Sequence, residues 1–270
     1  MASVVVPSHQ ERGSIVSDPD AIVLHENQRM LSVIMPAYNE ELNIGKAILE
    51  AVNILAKTGS DYEVIVVDDG SKDGTCEKAM AASQEHENVR VFGYKQNMGK
   101  GHALKHGFHF ARGDLVLFVD ADSDLPLSQI PRFLDCMKEE HADVVIGSKR
   151  HPLSEVDYPL SRRILSRGYS ALLKLMFRLD VTDTQVGIKL FRREVLDRVF
   201  PRVTVDRFAF DIELLVGANQ AGYRIVEAPV KVEFHNHSRV NPVAILGIFR
   251  DTMGIFYRTT FLHRHNHNRE

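Results

Sequence analysis

The chain contains no tryptophan, only two cysteines and no long uninterrupted apolar run. Because a membrane-spanning helix needs roughly 18 or more consecutive apolar residues, the sequence predicts no transmembrane helix and shows no N-terminal signal pattern. Cys76 and Cys136 have no metal-ligand spacing, which favours buried thiols in a reducing cytosol over a disulfide or a zinc site. The net charge of -3 provides no basic field that would attract nucleic acid.

Glycine is missing from the position where many nucleotide-binding folds require it. A dinucleotide site needs the pattern G-x-G-x-x-G after the first strand, and here the first apolar run is followed by PAYNEELN. Gly99 and Gly101 follow the third run and form no Walker motif. The sequence therefore argues against a Rossmann dehydrogenase and a P-loop enzyme. The absent glycine-rich loop also argues against a sugar nucleotidyltransferase.

Short apolar runs alternate with helical patterns from Leu31 onward. Five strands are predicted in the first half, with the sequences LSVIMP, YEVIVVDD, NVRVFGY, DLVLFVD and ADVVIGS. Helices are predicted between them, the first with Asn39 as its cap and the others at residues 73–85, 99–111 and 128–139. This alternation predicts an α/β fold with a mostly parallel central sheet flanked by helices. The unbroken apolar runs fit strands that are covered on both faces.

The second half of the chain has a different pattern. It predicts one long helix at residues 160–179, then a short strand in GIKLFRR, a helix in FDIELLVGANQAG and a bent strand or strand pair in YRIVEAPVKVEF. Residues 1–29 have no sustained period and are predicted to form a flexible N-terminal extension. Residues 30–241 then form the main domain, and residues 242–270 form a C-terminal amphipathic helix with a polar tail.

Carboxylates follow three of the predicted strands. In the stretch DLVLFVDADSD the apolar run ends in Asp120, Asp122 and Asp124, and like charges at this spacing repel each other. The first two strands also run into acids, in PAYNE and DDGS, and ligands of open α/β sheets bind outside the carboxyl ends of strands. A divalent cation, Mg²⁺ or Mn²⁺, resolves the repulsion, and a nucleotide diphosphate would complete its shell of oxygen ligands.

Four motifs now connect the sequence with a known family. SVIMPAYNEELNI, VIVVDDGSKDGT, NMGKGHAL and the DAD strand end occur in the order and spacing of the family 2, GT-A-fold glycosyltransferases, which the chain resembles. The segments VIGSKR, SRRILSRGYSALLKLMF, DTQVGIKLFRREV, FDIELL and HSRVNP extend the resemblance to dolichyl-phosphate mannose synthases and dolichyl-phosphate glucosyltransferases, over residues 31–242. This likeness implies a GT-A catalytic domain that transfers glucose or mannose, from UDP-glucose or GDP-mannose, to a polyprenyl (dolichyl) phosphate with inversion.

The same resemblance assigns a donor site. It implies that the base and ribose pocket, the diphosphate and the metal are contacted by a set of eight donor-binding residues: Pro36, Tyr38, Glu40, Asp69, Lys100, Asp120, Asp122 and Arg239. His237 is a weaker candidate beside Arg239. Asp124 stands where the mannose synthases typically have glutamine, a departure that bears on the third metal contact. We predict Asp120, Asp122 and Asp124 as the metal ligands.

The predicted helix at residues 160–179 carries basic residues and no acid. Four of them recur at helical spacing and form one stripe: Arg163, Arg167, Lys174 and Arg178. An unmixed stripe beside VIGSKR predicts capture of an anion, either a lipid phosphate or a membrane surface. Arg150, Arg163 and Arg167 are the predicted ligands of the acceptor phosphate, because arginine forks match phosphate oxygens. Asp122, Arg150 and Arg163 are the predicted catalytic residues.

The nature of the acceptor decides whether a general base is needed. A phosphate monoester is largely dianionic at neutral pH and is already a nucleophile. A hydroxyl acceptor, on a glycan or a small metabolite, would need a base, for which Asp183 or Asp211 are the candidates. That acceptor class remains an alternative, as does a non-catalytic nucleotide-binding module. A processive polysaccharide synthase is disfavoured, because its Q-x-x-R-W motif requires tryptophan.

The last helical segment supports a location at a membrane without crossing it. Apolar residues form an approximate stripe: Val243, Leu246, Phe249, Met253, Phe256 and Tyr257. An interfacial amphipathic helix fits this pattern. Packing on the core or on a second copy of the chain are the alternatives. The sequence thus predicts a cytoplasmic protein that is peripherally associated with the cytosolic face of a membrane.

Overall fold

The computed structural model describes residues 29–122, 124–156, 160–207, 209–233 and 242–259, and the account below concerns these residues. The predicted N-terminal extension lies almost entirely outside this part, and so do Arg239 and His237. Within the described part, no helix is both long enough and apolar enough to cross a membrane. Cys76 and Cys136 are half-buried and unpaired, rather than fully buried as predicted.

A single sheet of seven strands forms the centre of the molecule. The strands are β1 (Leu31–Ala37), β2 (Tyr62–Asp68), β3 (Val89–Gly93), β4 (Leu115–Phe118), β5 (Val144–Ser148), β6 (Lys189–Arg192) and β7 (Ile225–Pro229). Their order across the sheet is β3-β2-β1-β4-β6-β5-β7. All neighbouring pairs are parallel except those of β6, which runs antiparallel to both β4 and β5. The prediction of an α/β fold with a mostly parallel sheet is confirmed.

Helices cover both faces of this sheet. They are α1 (Ile44–Leu55), α2 (Thr75–Glu85), α3 (Lys100–Phe110), α4 (Ile130–Glu139), α5 (Leu160–Phe177), α6 (Arg193–Val199), α7 (Phe210–Gln220) and α8 (Pro242–Tyr257). Helix α6 was not predicted from the sequence. The predicted strand pair in YRIVEAPVKVEF is β7 followed by one isolated bridge between Glu155 and Lys231.

The sheet is buried on both faces because its side chains alternate between two apolar clusters. In β1, Val33 and Met35 join the cluster under α1, α2 and α4, whereas Ile34 joins the cluster under α3, α6 and α7. Helices α5 and α8 extend the second cluster through Leu173 and Ile255. Unbroken apolar runs are what such doubly covered strands require.

The central position of β1 brings the functional loops together. It pairs in parallel with β2 on one side and with β4 on the other, with Ala37 opposite Asp68 in the first pair and Ile34 opposite Phe118 in the second. The carboxyl ends of the three strands therefore lie at one edge of the sheet. This edge is the place where ligands of open α/β sheets bind.

Helix α1 begins later than the sequence predicted. Asn39 was predicted as its cap, but the helix begins at Ile44 after a turn, with Asn43 at the cap position. Asn39 has a positive φ of 56° and belongs to the loop that precedes the helix. Asparagine is one of the few residues that tolerates this conformation, because its short polar side chain bonds to nearby backbone.

The core under α4 gives a direct test of this packing. Phe133 is fully buried, so replacing it with alanine should lower the free energy of unfolding by about 3–5 kcal/mol. Urea denaturation followed by circular dichroism measures the change. Leu175 is 82% exposed on α5, and Leu175→Ala should change stability by less than about 0.5 kcal/mol. Equal losses in both variants would contradict the packing described.

Candidate active site

The loops after β1 and β2 are tied to each other by polar contacts. Asn39 N–H donates to Ser71 Oγ at 3.0 Å, and Lys72 N–H donates to Asn39 Oδ1 at 2.9 Å. Glu40 N–H donates to Thr75 Oγ1 at 2.8 Å. Because these bonds join PAYNE to DDGSKDGT, the two motifs form one rigid wall at the edge of the sheet. Tyr38 and Glu40, both predicted donor-binding residues, lie in this wall.

Asp69 holds a third loop in place. Its carboxylate is 3% exposed and accepts hydrogen bonds from Tyr94 Oη at 2.8 Å and Asn97 Nδ2 at 2.9 Å. It also accepts the backbone N–H groups of Met98 at 2.7 Å and Gly99 at 2.9 Å. Burial and this same carboxylate raise the pKa of Tyr94 above its usual value. The predicted contact of Asp69 with the donor stays a prediction, and the structure shows a positioning role for it.

Two carboxylates, Asp120 and Asp122, follow β4, and the first disfavours the charge of the second. Burial, followed by the charge of Asp120, raises the pKa of Asp122 to about 6. Smaller contributions from Asp124 and Glu40 act in the same direction, which indicates that these acids lie near Asp122. The structure thus brings together the acids that the sequence placed at the ends of separate strands.

A lysine partly compensates this negative charge. Lys100 Nζ lies 2.5 Å from Asp120 Oδ1 and begins helix α3, directly after the loop that Asp69 holds. Burial opposes the charged form of Lys100, but Asp120 and then Asp211 outweigh it and raise the pKa of the lysine. Lys100 is therefore a fixed positive charge beside the predicted metal ligands.

Close packing against a glycine fixes Asp120 from the other side. A Cβ atom placed on Gly187 would lie 2.0 Å from Asp120 Oδ2, far closer than real contacts allow. Gly187 lies in the segment that leads into β6, and only a residue without a side chain lets that backbone pass so close to the carboxylate. The antiparallel direction of β6 brings its first residues to the same edge of the sheet.

The donor set fits a divalent cation that shares its shell with phosphate. Within the described ranges, no group of three or more histidine, cysteine or acidic side chains is arranged to hold a metal ion by itself. Two carboxylates completed by substrate oxygens is the arrangement typical of Mg²⁺. Asp124 donates its backbone N–H to Asp122 Oδ1 at 3.2 Å and accepts from Glu233 N–H at 2.9 Å. Its predicted metal contact stays a prediction.

The predicted acceptor side lies between β5, α5 and the loop before β6. Arg150 Nη1 donates to Ser170 Oγ at 2.9 Å, and that hydroxyl donates to Thr182 O at 2.5 Å. Arg150 therefore lies against the basic helix. The side chains of Arg163 and Arg167 are outside the described residues, so their predicted phosphate contacts stay predictions.

The basic stripe on α5 is shorter than the sequence predicted. Lys174 pairs with Asp180 at 2.5 Å, so its charge has an acidic partner just beyond the helix. Arg178 follows the last helical residue and has a positive φ of 54°, which takes it off the helical face. The predicted stripe therefore retains only Arg163 and Arg167 as candidates for an unmatched charge.

The two candidate general bases differ in their surroundings. Asp183 accepts backbone N–H groups from Lys149 at 3.3 Å and Gln185 at 3.2 Å. Asp211 is buried, and its Oδ1 lies 2.8 Å from Lys189 Nζ. A substrate hydroxyl would have to displace a buried ion pair to reach Asp211.

Sequence reasoning missed Gly187, Lys189 and Tyr94. A glycine directly before an apolar run signals a close backbone approach, and a lysine inside the run GIKLF signals a buried partner. Both signals were present in the sequence. The bond from Tyr94 to Asp69 gives no such signal, because it depends on the conformation of the loop after β3.

A match to a family model covers most of the sheet and the site. Residues 32–200 match the model of glycosyl transferase family 2. The chain therefore belongs to this family.

The chain is also similar to individual named proteins of other organisms. The chain is 36% identical over 225 residues to dolichyl-phosphate beta-glucosyltransferase of Dictyostelium discoideum, which covers 78% of this chain and 69% of that protein. It is 35% identical over 243 residues to the protein of the same name from Drosophila melanogaster, covering 84% of this chain and 74% of the relative.

Solved structures show the same GT-A fold. Mannosyl-3-phosphoglycerate synthase from Rubrobacter xylanophilus superposes with a TM-score of 0.67 at 18% identity, covering 87% of this chain and 75% of that one. Glucosyl-3-phosphoglycerate synthase from Mycobacterium tuberculosis, crystallised with Mn²⁺ and UDP-glucose, has a TM-score of 0.62 at 25% identity. That match covers 85% of this chain and 78% of the synthase.

The contact between Gly187 and Asp120 can be tested by adding one methyl group. If Asp120 is a metal ligand as predicted, Gly187→Ala should displace its carboxylate and weaken Mn²⁺ binding at least about tenfold, because the contacts that orient a metal ligand typically contribute this much to the affinity. Electron paramagnetic resonance of free Mn²⁺ measures the affinity. Gly168→Ala on α5 meets no atom within 4 Å and should leave the affinity unchanged. Unaltered binding in Gly187→Ala would contradict the site.

Proposed function

We propose that this protein transfers glucose from UDP-glucose to dolichyl phosphate and forms a β-linked lipid product. The observation that carries the proposal is its likeness to several proteins named dolichyl-phosphate beta-glucosyltransferase, over more than two thirds of the Dictyostelium and Drosophila proteins. The clustered carboxylates at the end of β4 support it, since they suit a donor with a diphosphate leaving group.

The bonds exchanged define what the site must do. A phosphate oxygen of the acceptor attacks the anomeric carbon, the bond between this carbon and the diphosphate oxygen breaks, and the configuration inverts. UDP departs with the electron pair of the broken bond. No proton has to be removed from a dianionic phosphate, so the chemistry depends on positioning and on stabilising the negative charge that grows on the leaving group.

Each part of the site has a role in this scheme. The wall formed by PAYNE and DDGSKDGT holds the nucleotide, with Pro36, Tyr38 and Glu40 as its contacts. Lys100 provides a fixed positive charge at the diphosphate, next to Asp120. Asp120 and Asp122 would hold the divalent cation, Mg²⁺ or Mn²⁺, which when bound supplies positive charge for the leaving diphosphate.

The acceptor phosphate is proposed to bind on the α5 side of the site. Arg150 lies there because it donates a hydrogen bond to Ser170 of α5, the helix that also contains Arg163 and Arg167. Arginine is suited to this task because its planar fork matches two phosphate oxygens. Arg239 is proposed to contact the donor diphosphate.

The substrate specificity can be tested with one panel assay. The full chain is incubated with Mn²⁺ and radiolabelled UDP-glucose, GDP-mannose or UDP-galactose, with dolichyl phosphate, dolichol or 3-phosphoglycerate as the acceptor. Label from UDP-glucose should enter the lipid phase only with dolichyl phosphate. Asp122→Asn should lower the rate at least about a hundredfold, because it removes one charge from the cation site. Transfer to dolichol or to phosphoglycerate alone would overturn the proposal.

Peripheral attachment to the cytosolic face of a membrane is part of the proposal. Helix α8 packs on α5 and α7 through Ile255, the 2.7 Å bond between Tyr169 and Thr252, and the contact of Phe256 with Phe177. These contacts anchor α8 to the domain. Leu175 and Met253 remain exposed on the two adjoining helices, where they are candidates for membrane contact.

Deleting α8 would expose the core around Ile255, so point substitutions are the sharper test of membrane contact. The double variant Leu175→Asp and Met253→Asp should reduce the affinity for anionic liposomes, measured by pelleting, at least about tenfold, because two apolar side chains no longer enter the membrane. Met80→Asp lies on α2, across the sheet, at a similar 46% exposure and serves as the control. Pelleting that is equal in all three proteins would contradict the attachment surface.

A further inference from the structure

Lys189 is a charged residue in the centre of the protein core. Its side chain is 1% exposed, its Nζ lies 2.8 Å from Asp211 Oδ1, and it donates to Val186 O at 2.6 Å. Burying an ammonium group is costly even when it is paired, and a well-packed apolar residue would often serve stability better. Stability alone therefore does not explain the ion pair of Lys189 and Asp211.

Asp211 also acts on a second lysine. Asp211 lies in the first turn of α7, and Lys100 is the first residue of α3. The starts of these two helices are in contact, because a Cβ atom placed on Gly101, next to Lys100, would lie 2.6 Å from the side chain of Phe210, next to Asp211. The ion pair of Lys100 with Asp120, at the edge of the sheet, and that of Lys189 with Asp211, in the core, are thus connected through the packed starts of α3 and α7.

We propose that the pair of Lys189 and Asp211 positions Lys100 at the donor diphosphate, and that Asp211 is a positioning residue rather than a proton acceptor. This inference rests on the proposed function, because it assigns Lys100 a task at the leaving group. It leaves Asp183 as the remaining one of the two candidates for the general base that a hydroxyl acceptor would require.

The segment that contains Lys189 strengthens the inference. Val186 accepts the hydrogen bond from Lys189, and Gly187 packs against Asp120 one residue later. One short stretch before and at the start of β6 therefore contacts both Asp120, the partner of Lys100, and Asp211, which lies on the helix packed against the start of α3. Loss of the buried pair should disturb the orientation of both groups at the edge of the sheet.

Binding measurements without an acceptor test this role. Asp211→Asn keeps the size of the side chain and removes its charge. It should weaken the binding of UDP with Mn²⁺, measured by calorimetry, about tenfold, the effect of losing one charge-assisted contact. The shape of the pH dependence of kcat should not change. The opposite result is that Asp211→Asn leaves the UDP affinity unaltered and lowers kcat at neutral pH, with kcat recovering as the pH rises. That result would identify Asp211 as a base and overturn the proposal.

A double variant separates positioning from folding. Asp211→Asn alone leaves Lys189 without its carboxylate, and the loss of one partner of a buried pair is strongly destabilising. Adding Lys189→Met should restore the Tm, while UDP binding stays weak because Lys100 still lacks Asp211. Recovery of UDP affinity together with Tm would show a purely structural role and overturn the proposal.

The matched control breaks another ion pair on the same helix. Arg258 Nη2 lies 2.8 Å from Glu213 Oε1, and Arg258→Met should leave UDP and Mn²⁺ affinity unchanged. A loss as large as that of Asp211→Asn would contradict the assignment to Lys100. Since no lipid is present, a failure of transfer to dolichyl phosphate would overturn the proposed acceptor and leave this result standing.

Discussion

Negative charge gathered at the end of β4 is the constraint on which the rest of the site depends. Asp120 and Asp122 lie two residues apart directly after this strand, and burial together with the charge of Asp120 raises the pKa of Asp122. Lys100 compensates part of this negative charge through its ion pair with Asp120, and the proposed divalent cation would compensate the rest. Gly187 packs directly against Asp120, so the backbone before β6 limits the movement of this carboxylate.

The donor half of the fold could be predicted from the sequence because its signals are local. Each strand is an unbroken apolar run, and each acid follows its run directly, so strand order along the chain places the acids at one edge. The loops could not be predicted in the same way. Asn39 has the composition of a helix cap, yet tertiary contacts with Ser71 and Lys72 place it in a loop instead. Side-chain hydrogen bonds between distant segments produce no periodic pattern in the sequence.

The acceptor half was harder to predict, for a physical reason. The helical pattern in the sequence includes only the charges on one helix. It does not show which residues fold back onto that helix, such as Asp180, which pairs with Lys174. The antiparallel direction of β6 was also not evident, because a short buried strand has the same apolar pattern in either direction. The signals at Gly187 and Lys189 were visible as exceptions to the pattern, a glycine and a lysine where apolar residues were expected.

The reversed strand β6 divides the sheet into two halves. In the proposed function, strands β1 to β4 with their loops form the nucleotide side, and β5 to β7 form the side that faces the acceptor, with β6 between them. Backbone pairing across β6 depends little on the loops that enter it. We therefore expect helix α5 to vary among relatives without change on the nucleotide side, whereas Gly187, just before β6, is constrained because it packs against Asp120. Such a division offers a route by which one scaffold diversifies its acceptors and retains its donor chemistry.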